Sequence, residues 1–260
     1  MIITLFLISL IGGFLSGFLG LGGAVVMIPL MLNIPPLFNV GALTMKSVAG
    51  LSMVQAFFSS ISGLIIHKKN HFIHYQILLY IGLSMGVSSL LGSYLSKYLD
   101  NEIILIIFAV IILLSMILLL LEHNKNDNED LSGIVVNKKL LIPTGVIIGA
   151  ISGIVGAGGG FILIPIMTKI LKIPLKITIG TSLGIVFIGA LFGSIGKILS
   201  FQVDYIALAP IIIGSLVSAQ IGARVSKITP PKILKIILFI VILISFIQVV
   251  IKYLYEKQVF

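Results

Sequence analysis

Two glycine clusters hold the residues best suited to chemistry in this chain, Gly20-Leu-Gly-Gly-Ala24 and Gly156-Ala-Gly-Gly-Gly160. Glycine lets the backbone take positive φ and lets a second chain approach closely. A helix beginning at Gly23 or Gly159 would aim its first N–H groups at whatever lies beyond it. Such ends attract anions through hydrogen bonds and through the helix dipole. Gly20, Gly22, Gly23, Gly156, Gly158 and Gly159 are therefore candidate backbone ligands for a small anion. Close helix packing is the competing use of such glycines. It has an equal claim on Gly13, Ser16 and Gly17 and on Gly149, Ser152 and Gly153. A nucleotide loop is excluded, because neither cluster has GxGxxG spacing or a following Lys-Ser/Thr.

Few other side chains can join these clusters. All eight carboxylates, Asp100, Glu102, Glu122, Asp127, Glu129, Asp130, Asp204 and Glu256, lie at or beyond the ends of apolar runs. A cation path needs a carboxylate inside the membrane, so an anion is the expected cargo. Lys46 is the only charge in the first 67 residues and could face that anion. A snorkelling interfacial lysine is the plainer reading for it and for Lys197. Thr181 and Ser182 open a later apolar run and could ligate an oxyanion, although such hydroxyls usually bond their own helix. Gln55 and Gln220 read as buried amides, either helix–helix glue or ligands. His67, His71 and His74 flank Lys68 and Lys69 in what reads as a solvated loop, and His123 falls in a polar linker. No His or carboxylate cluster has metal-ligand spacing, and no cofactor is expected.

These residues are embedded in a chain built for a bilayer. Only 10% of residues are charged, 58% are hydrophobic, and cysteine is absent. Charge-free runs cover 1–45, 47–67, 70–96, 103–121, 140–168, 177–196, 205–223 and 236–251. About 20 apolar helical residues span a hydrocarbon core, so an all-α polytopic membrane protein is expected, placed in the cell membrane. The first segment reads as structure and not as a secretory signal. The net charge of +9 sits in short loops, where it orients spans and does not bind nucleic acid.

The chain also repeats itself. Residues 13–29 and 149–165 are identical at eight of seventeen positions, with a shift of 136. Gly63 pairs with Gly196 at a shift of 133, and Gly92-Ser-Tyr-Leu-Ser-Lys97 pairs with Gly222-Ala-Arg-Val-Ser-Lys227 at 130. Lys46, read at 133, faces Ile179 and has no charged mate. Two homologous halves are expected, 1–121 and 139–260, joined by a polar linker at 122–138. If every run crosses once, the halves are parallel and the cationic residues split eight to nine between the faces. If each glycine-broken run enters and returns, the halves are inverted and the split becomes twelve to five. Only the second satisfies the positive-inside rule, so the sequence predicts inverted halves, each opening with a re-entrant or discontinuous helix.

The doubled GxxSGxxGxGG-like segments ending in Ile-Pro, Gly180-Thr-Ser-Leu183 and the Gly-x-x-x-Ser-Lys endings resemble the sulfite exporter TauE/SafE family of membrane transporters. The resemblance covers nearly the whole chain. It implies roles for Gly17, Gly20, Gly22, Gly23, Gly153, Gly156, Gly158, Gly159, Gly180, Thr181 and Ser182. The first half departs from the pattern with Lys46-Ser-Val-Ala-Gly50. By resemblance, the cargo is sulfite or another small sulfur oxyanion or organosulfonate. The expectation is a secondary transporter, an exporter working by alternating access around the two broken helices, in a lipid bilayer and compatible with a homo-oligomer. An anion channel and an uptake permease for another small anion are the alternatives. A membrane-embedded enzyme or sulfur-relay component is disfavoured, since the sequence has no Cys and no His or carboxylate constellation.

Overall fold

In the computed structural model, which describes residues 1–69, 72–121 and 138–258, helix accounts for almost everything described. Ten α-helices follow in order: α1 (Ile2–Leu19), α2 (Ala24–Leu37), α3 (Met45–Lys69), α4 (Tyr75–Leu95), α5 (Asn101–Leu120), α6 (Lys138–Val155), α7 (Gly160–Lys169), α8 (Leu175–Leu199), α9 (Tyr205–Ile228) and α10 (Pro231–Gln258). A single 3₁₀ turn, Ser96–Tyr98, follows α4. By length and composition, eight of the described helices can cross a membrane, and only α2 and α7 are too short. The polar linker lies outside the described residues, apart from Lys138, which opens α6.

The helices end where their residues require. Gly20 closes α1 at φ 74° in the left-handed region, with its N–H on the Ser16 carbonyl. Asp204 caps α9, its carboxylate accepting from the Ile206 N–H at 3.0 Å. The His74 ring nitrogen accepts from Ile77 N–H at the start of α4.

Helices α3 and α8 form the centre, being the most buried of the candidate spans. Around them α1 packs on α9, and α4 packs on α6. Small residues make these contacts close. A Cβ on Gly222 would strike the Phe14 backbone of α1, and one on Gly92 would strike the Ala150 backbone of α6. Helices α5 and α10 pack on each other at the outside.

Polarity is inverted relative to a water-soluble fold. Leu7, Leu83, Val87, Val110, Ile213, Val217, Ile244 and Ile247 are exposed, while Ser52, Gln55, Ser59, Ser182 and Lys197 are fully buried. Only a hydrocarbon solvent makes that arrangement favourable. Three side chains correct the sequence reading. His67 is not in a solvated loop; it belongs to α3 and is buried. Lys197 does not snorkel; it is 0% exposed. Gln220 is not buried; it lies on the exposed face of α9.

Because Gly92 and Gly222 meet backbone and not a yielding side chain, Gly92→Leu or Gly222→Leu should destabilise by at least about 1–3 kcal/mol. The detergent-solubilised variants should melt several degrees lower, whereas Val87→Leu, on the exposed face of α4, should melt like the parent.

Candidate functional site

Both glycine clusters form tight turns between consecutive helices. Gly20, Gly22 and Gly23 have φ of 74°, 75° and 75°, and Gly156, Gly158 and Gly159 have 79°, 64° and 73°. After its turn α2 runs back beside α1. A Cβ on Gly12 would meet the Met27 side chain, and the Met1 sulfur lies 3.4 Å from the Cβ position of Gly41. Likewise a Cβ on Gly159 would lie 2.9 Å from Ile148 and 3.2 Å from Ser152, both on α6.

The two turns meet each other at the middle of the molecule. A Cβ on Gly22 would lie 3.0 Å from Val186 Cγ1, 3.6 Å from Ala56 Cβ and 3.9 Å from the Ala157 carbonyl. One on Gly158 would lie 3.0 Å from Ala56 Cβ and 3.3 Å from Val186 Cγ1. Ala56 and Val186 each stand eleven residues from the start of a 25-residue helix, α3 and α8. Phe57 and Phe187 stack there, with centroids 5.6 Å apart. The glycines divide by what faces them. Gly20, Gly23, Gly156 and Gly160 touch backbone and permit close packing, whereas Gly22 and Gly158 face the same two small side chains, Ala56 and Val186.

Each turn brings together a helix C-terminus and a helix N-terminus, with opposite partial charges. The carbonyl ends are occupied by protein donors. Ser182 Oγ donates to the Gly20 carbonyl at 3.0 Å, and Ser52 Oγ donates to the Gly156 carbonyl at 2.7 Å. Ser93 Oγ donates to Gly153 at 3.1 Å. His67 Nε2 lies 3.2 Å from the Gly17 carbonyl, and because a carbonyl only accepts, the proton sits on Nε2. Lys197 Nζ donates to the Ile154 carbonyl at 3.0 Å, to Ser96 Oγ at 2.7 Å and to Gln202 Oε1 at 2.9 Å. The amide ends differ. Helix geometry leaves the first N–H groups of α2 and α7 without intrahelical acceptors, and both helices begin directly after the two turns. Five carbonyls at the ends that precede them, those of Gly17, Gly20, Gly153, Ile154 and Gly156, are thus bonded to side chains.

The structure brings some candidate residues together and not others. Ser182 reaches the first turn, but as a donor to its carbonyl. Thr181 points elsewhere, its Oγ1 accepting from the His74 N–H at 3.0 Å. Lys46 stands ten residues before Ala56, about 15 Å along α3. Its ammonium donates to the Lys97 carbonyl at 2.9 Å, so it caps the end of the α4 segment and does not line the turns. His71 and His123 lie outside the described residues. Among those described, no group of three His, Asp or Glu could hold a metal.

Sequence reasoning missed Ser52, which bonds Gly156 as Ser182 bonds Gly20. It also missed the Lys197–Ser96–Gln202 cluster. A signal was present. Helices α3 and α8 begin 130 residues apart, at Met45 and Leu175, the same shift as the Gly92 and Gly222 segments. At that shift Ser52 stands opposite Ser182, and Lys46 opposite Lys176 instead of Ile179; Gly63 pairs with Gly193 instead of Gly196.

An apolar exterior, serine-lined helix contacts and eight candidate spans define a multi-pass helical membrane protein. The chain belongs to the family described as sulfite exporter TauE/SafE, a family of membrane transporters, whose model matches residues 5–249. It is 23% identical to the probable membrane transporter protein YunE of Bacillus subtilis, over 93% of this chain and 94% of that one. It is 27% identical to YdhB of the same organism, over 90% and 94%. It is 25% identical to a probable membrane transporter protein of Methanocaldococcus jannaschii, over 90% of each chain. No solved structure matches it.

Replacing Lys197 by Met would leave the Ile154 carbonyl and the Gln202 amide oxygen buried without that donor. A loss of about 2 kcal/mol is expected, read as a lower melting temperature in detergent. A Lys197→Met variant melting with the parent would show that the ammonium does not secure the end of α6.

Proposed function

We propose that this chain is a secondary carrier for a small oxyanion, sulfite or a related sulfur oxyanion or organosulfonate. The reading is supported by the polarity around the place where Gly22 and Gly158 approach Ala56 and Val186, the proposed central gap: α2 and α7 begin beside it, and carbonyls that could have drawn a cation are bonded to Ser52, Ser182, His67 and Lys197. Gly20, Gly22, Gly23, Gly156, Gly158 and Gly159 are its backbone components. Ser182, with Ser52, holds the turns. Thr181 and Lys46 are proposed only as supports at a distance.

The proposed architecture is two inverted copies, 1–121 and 139–260, each opening with a re-entrant helical hairpin. Equivalent contacts recur in support. A Cβ on Gly50 would meet the Gln202 carbonyl, and one on Gly180 would meet that of Phe72, each pair separated by 130. Face assignments agree as well. If the copies were parallel, the ends near Lys97 and Lys197 would lie on opposite sides of the bilayer, about 30 Å apart. Yet Lys197 Nζ is 2.7 Å from Ser96 Oγ.

Every residue of both turns, Gly20–Gly23 and Gly156–Gly159, is buried. A sealed centre suits alternating access, with the halves rocking about the gap, and does not suit a continuous channel. The membrane potential supplies about 2.3 kcal/mol per charge per 100 mV. For an anion in a cell with a negative interior, that favours exit without a coupling ion.

The test is uptake of labelled sulfite into proteoliposomes preloaded with unlabelled sulfite. Saturable, trans-stimulated uptake is expected. Gly22→Leu or Gly158→Leu, which would fill the gap and force a side chain into positive φ, should reduce it to background at equal insertion. Unchanged uptake in both variants would remove the turns from the path. Uptake linear in concentration and indifferent to preloading would replace the carrier with a channel.

A further inference from the structure

We propose that the Gln55 side-chain amide is a substrate ligand and that it makes this site selective for a singly protonated oxyanion. The inference rests on the anion-carrier reading above and narrows its cargo.

Gln55 precedes Ala56 at the midpoint of α3 and is 0% exposed. Neither its Nε2 nor its Oε1 has a hydrogen-bond partner among the described residues, and no other described side chain leaves two buried polar atoms unpaired. Buried amides in folded proteins are almost always bonded, so this one calls for a partner. Its placement indicates which. Nε2 lies 2.7 Å from the Cβ position of Gly23, the residue that caps the 14-residue helix α2. The unpaired amide therefore stands at the N-cap of α2, beside the Gly12 carbonyl of α1. The matching place at the second turn is different. A Cβ on Gly159 would meet the Met85 methyl at 2.7 Å, then Ile148 and Ser152 carbons. The polar anchor is on one side only.

An amide presents one donor group and one acceptor side by side, whichever way it is turned. A fully ionised oxyanion consists of acceptors only. It would satisfy the helix amides and Nε2 but would face the lone pairs of Oε1. An oxyanion that keeps one proton satisfies both, its oxygens accepting from Nε2 and the α2 amides while its O–H donates to Oε1. Charge points the same way. No cationic side chain is among the nearest neighbours of Gly20, Gly22, Gly23, Gly156, Gly158 or Gly159. Moving a dianion there from water would cost far more than moving a monoanion.

The experiment is labelled sulfite uptake by the reconstituted full chain, with pH equal on both sides, from pH 6 to 8.5. Sulfite loses its last proton near neutrality, so the singly protonated fraction falls about tenfold per unit above that point. Wild-type uptake should follow that fraction, and sulfate, fully ionised throughout, should not compete. Gln55→Leu should lower uptake at pH 6 by about tenfold or more. Gln55→Glu offers a donor and an acceptor only while protonated, so it should keep uptake at the acid end and lose it more steeply. On the elements packed around this point, the buried titratable groups are His67, on the Gly17 carbonyl, and Lys197, on the Ile154 carbonyl. His67→Gln and Lys197→Met should each keep the wild-type slope. A flattened slope in either would move the pH dependence from the substrate to the protein and overturn the proposal. Wild-type rate and slope in Gln55→Leu would do the same. Uptake that rises with pH, or full competition by sulfate, would overturn the protonated cargo and leave the carrier standing. Absence of any sulfite uptake by folded wild-type protein would overturn both.

Discussion

Backbone polar groups inside a bilayer must find partners within the protein, because no water is at hand to take them. Two helix ends at the centre of this molecule make that requirement acute, since α1 and α6 both stop there with carbonyls to satisfy. Five of them are bonded from α3, α4 and α8: Ser182 on Gly20, Ser52 on Gly156, Ser93 on Gly153, His67 on Gly17 and Lys197 on Ile154. The next helices, α2 and α7, begin directly after these turns. In the proposed site, the bonds that make the turns possible leave the amide ends to set its sign. Carriers built on broken helices can serve either sign of ion, and in the proposed carrier the choice lies in which ends are capped.

That choice also explains two cationic side chains that a simple membrane reading would put at the surface. Lys197 is buried with no described carboxylate paired to it, and its nitrogen bonds a helix-terminal carbonyl, a hydroxyl and an amide oxygen. A cation at a helix C-terminus is favoured by the dipole. Lys46 does the same more peripherally, on the Lys97 carbonyl. Both lysines serve helix ends, and neither reaches the gap between Gly22 and Gly158.

Composition and apolar runs made the class legible, because spans of sufficient length with few charges have no other stable use. The candidate glycines were legible too, since positive φ at six positions is something side chains rarely tolerate. Pairing across the molecule was legible only through the 130-residue shift that sets Ser52 opposite Ser182. Ser52 bonds a carbonyl 104 residues away and Lys197 a hydroxyl 101 residues away, and no local pattern announces such contacts. His67 was misread because it stands beside two lysines, where charge suggests solvent; the helix continues through it and turns its ring inward to α1. Gln220 was misread for the opposite reason, as an apolar neighbourhood on α9 is the mark of the lipid face and not of the interior.

The central claim is that an oxyanion sits against the amide ends of α2 and α7. Anomalous diffraction from crystals grown with selenite, an electron-dense analogue of sulfite, tests it most directly. The account predicts a selenium peak in the gap between Gly22 and Gly158, within hydrogen-bonding reach of the first amides of α2. A peak confined to the peripheral lysines, such as Lys46 or Lys97, with none in the gap, would contradict it.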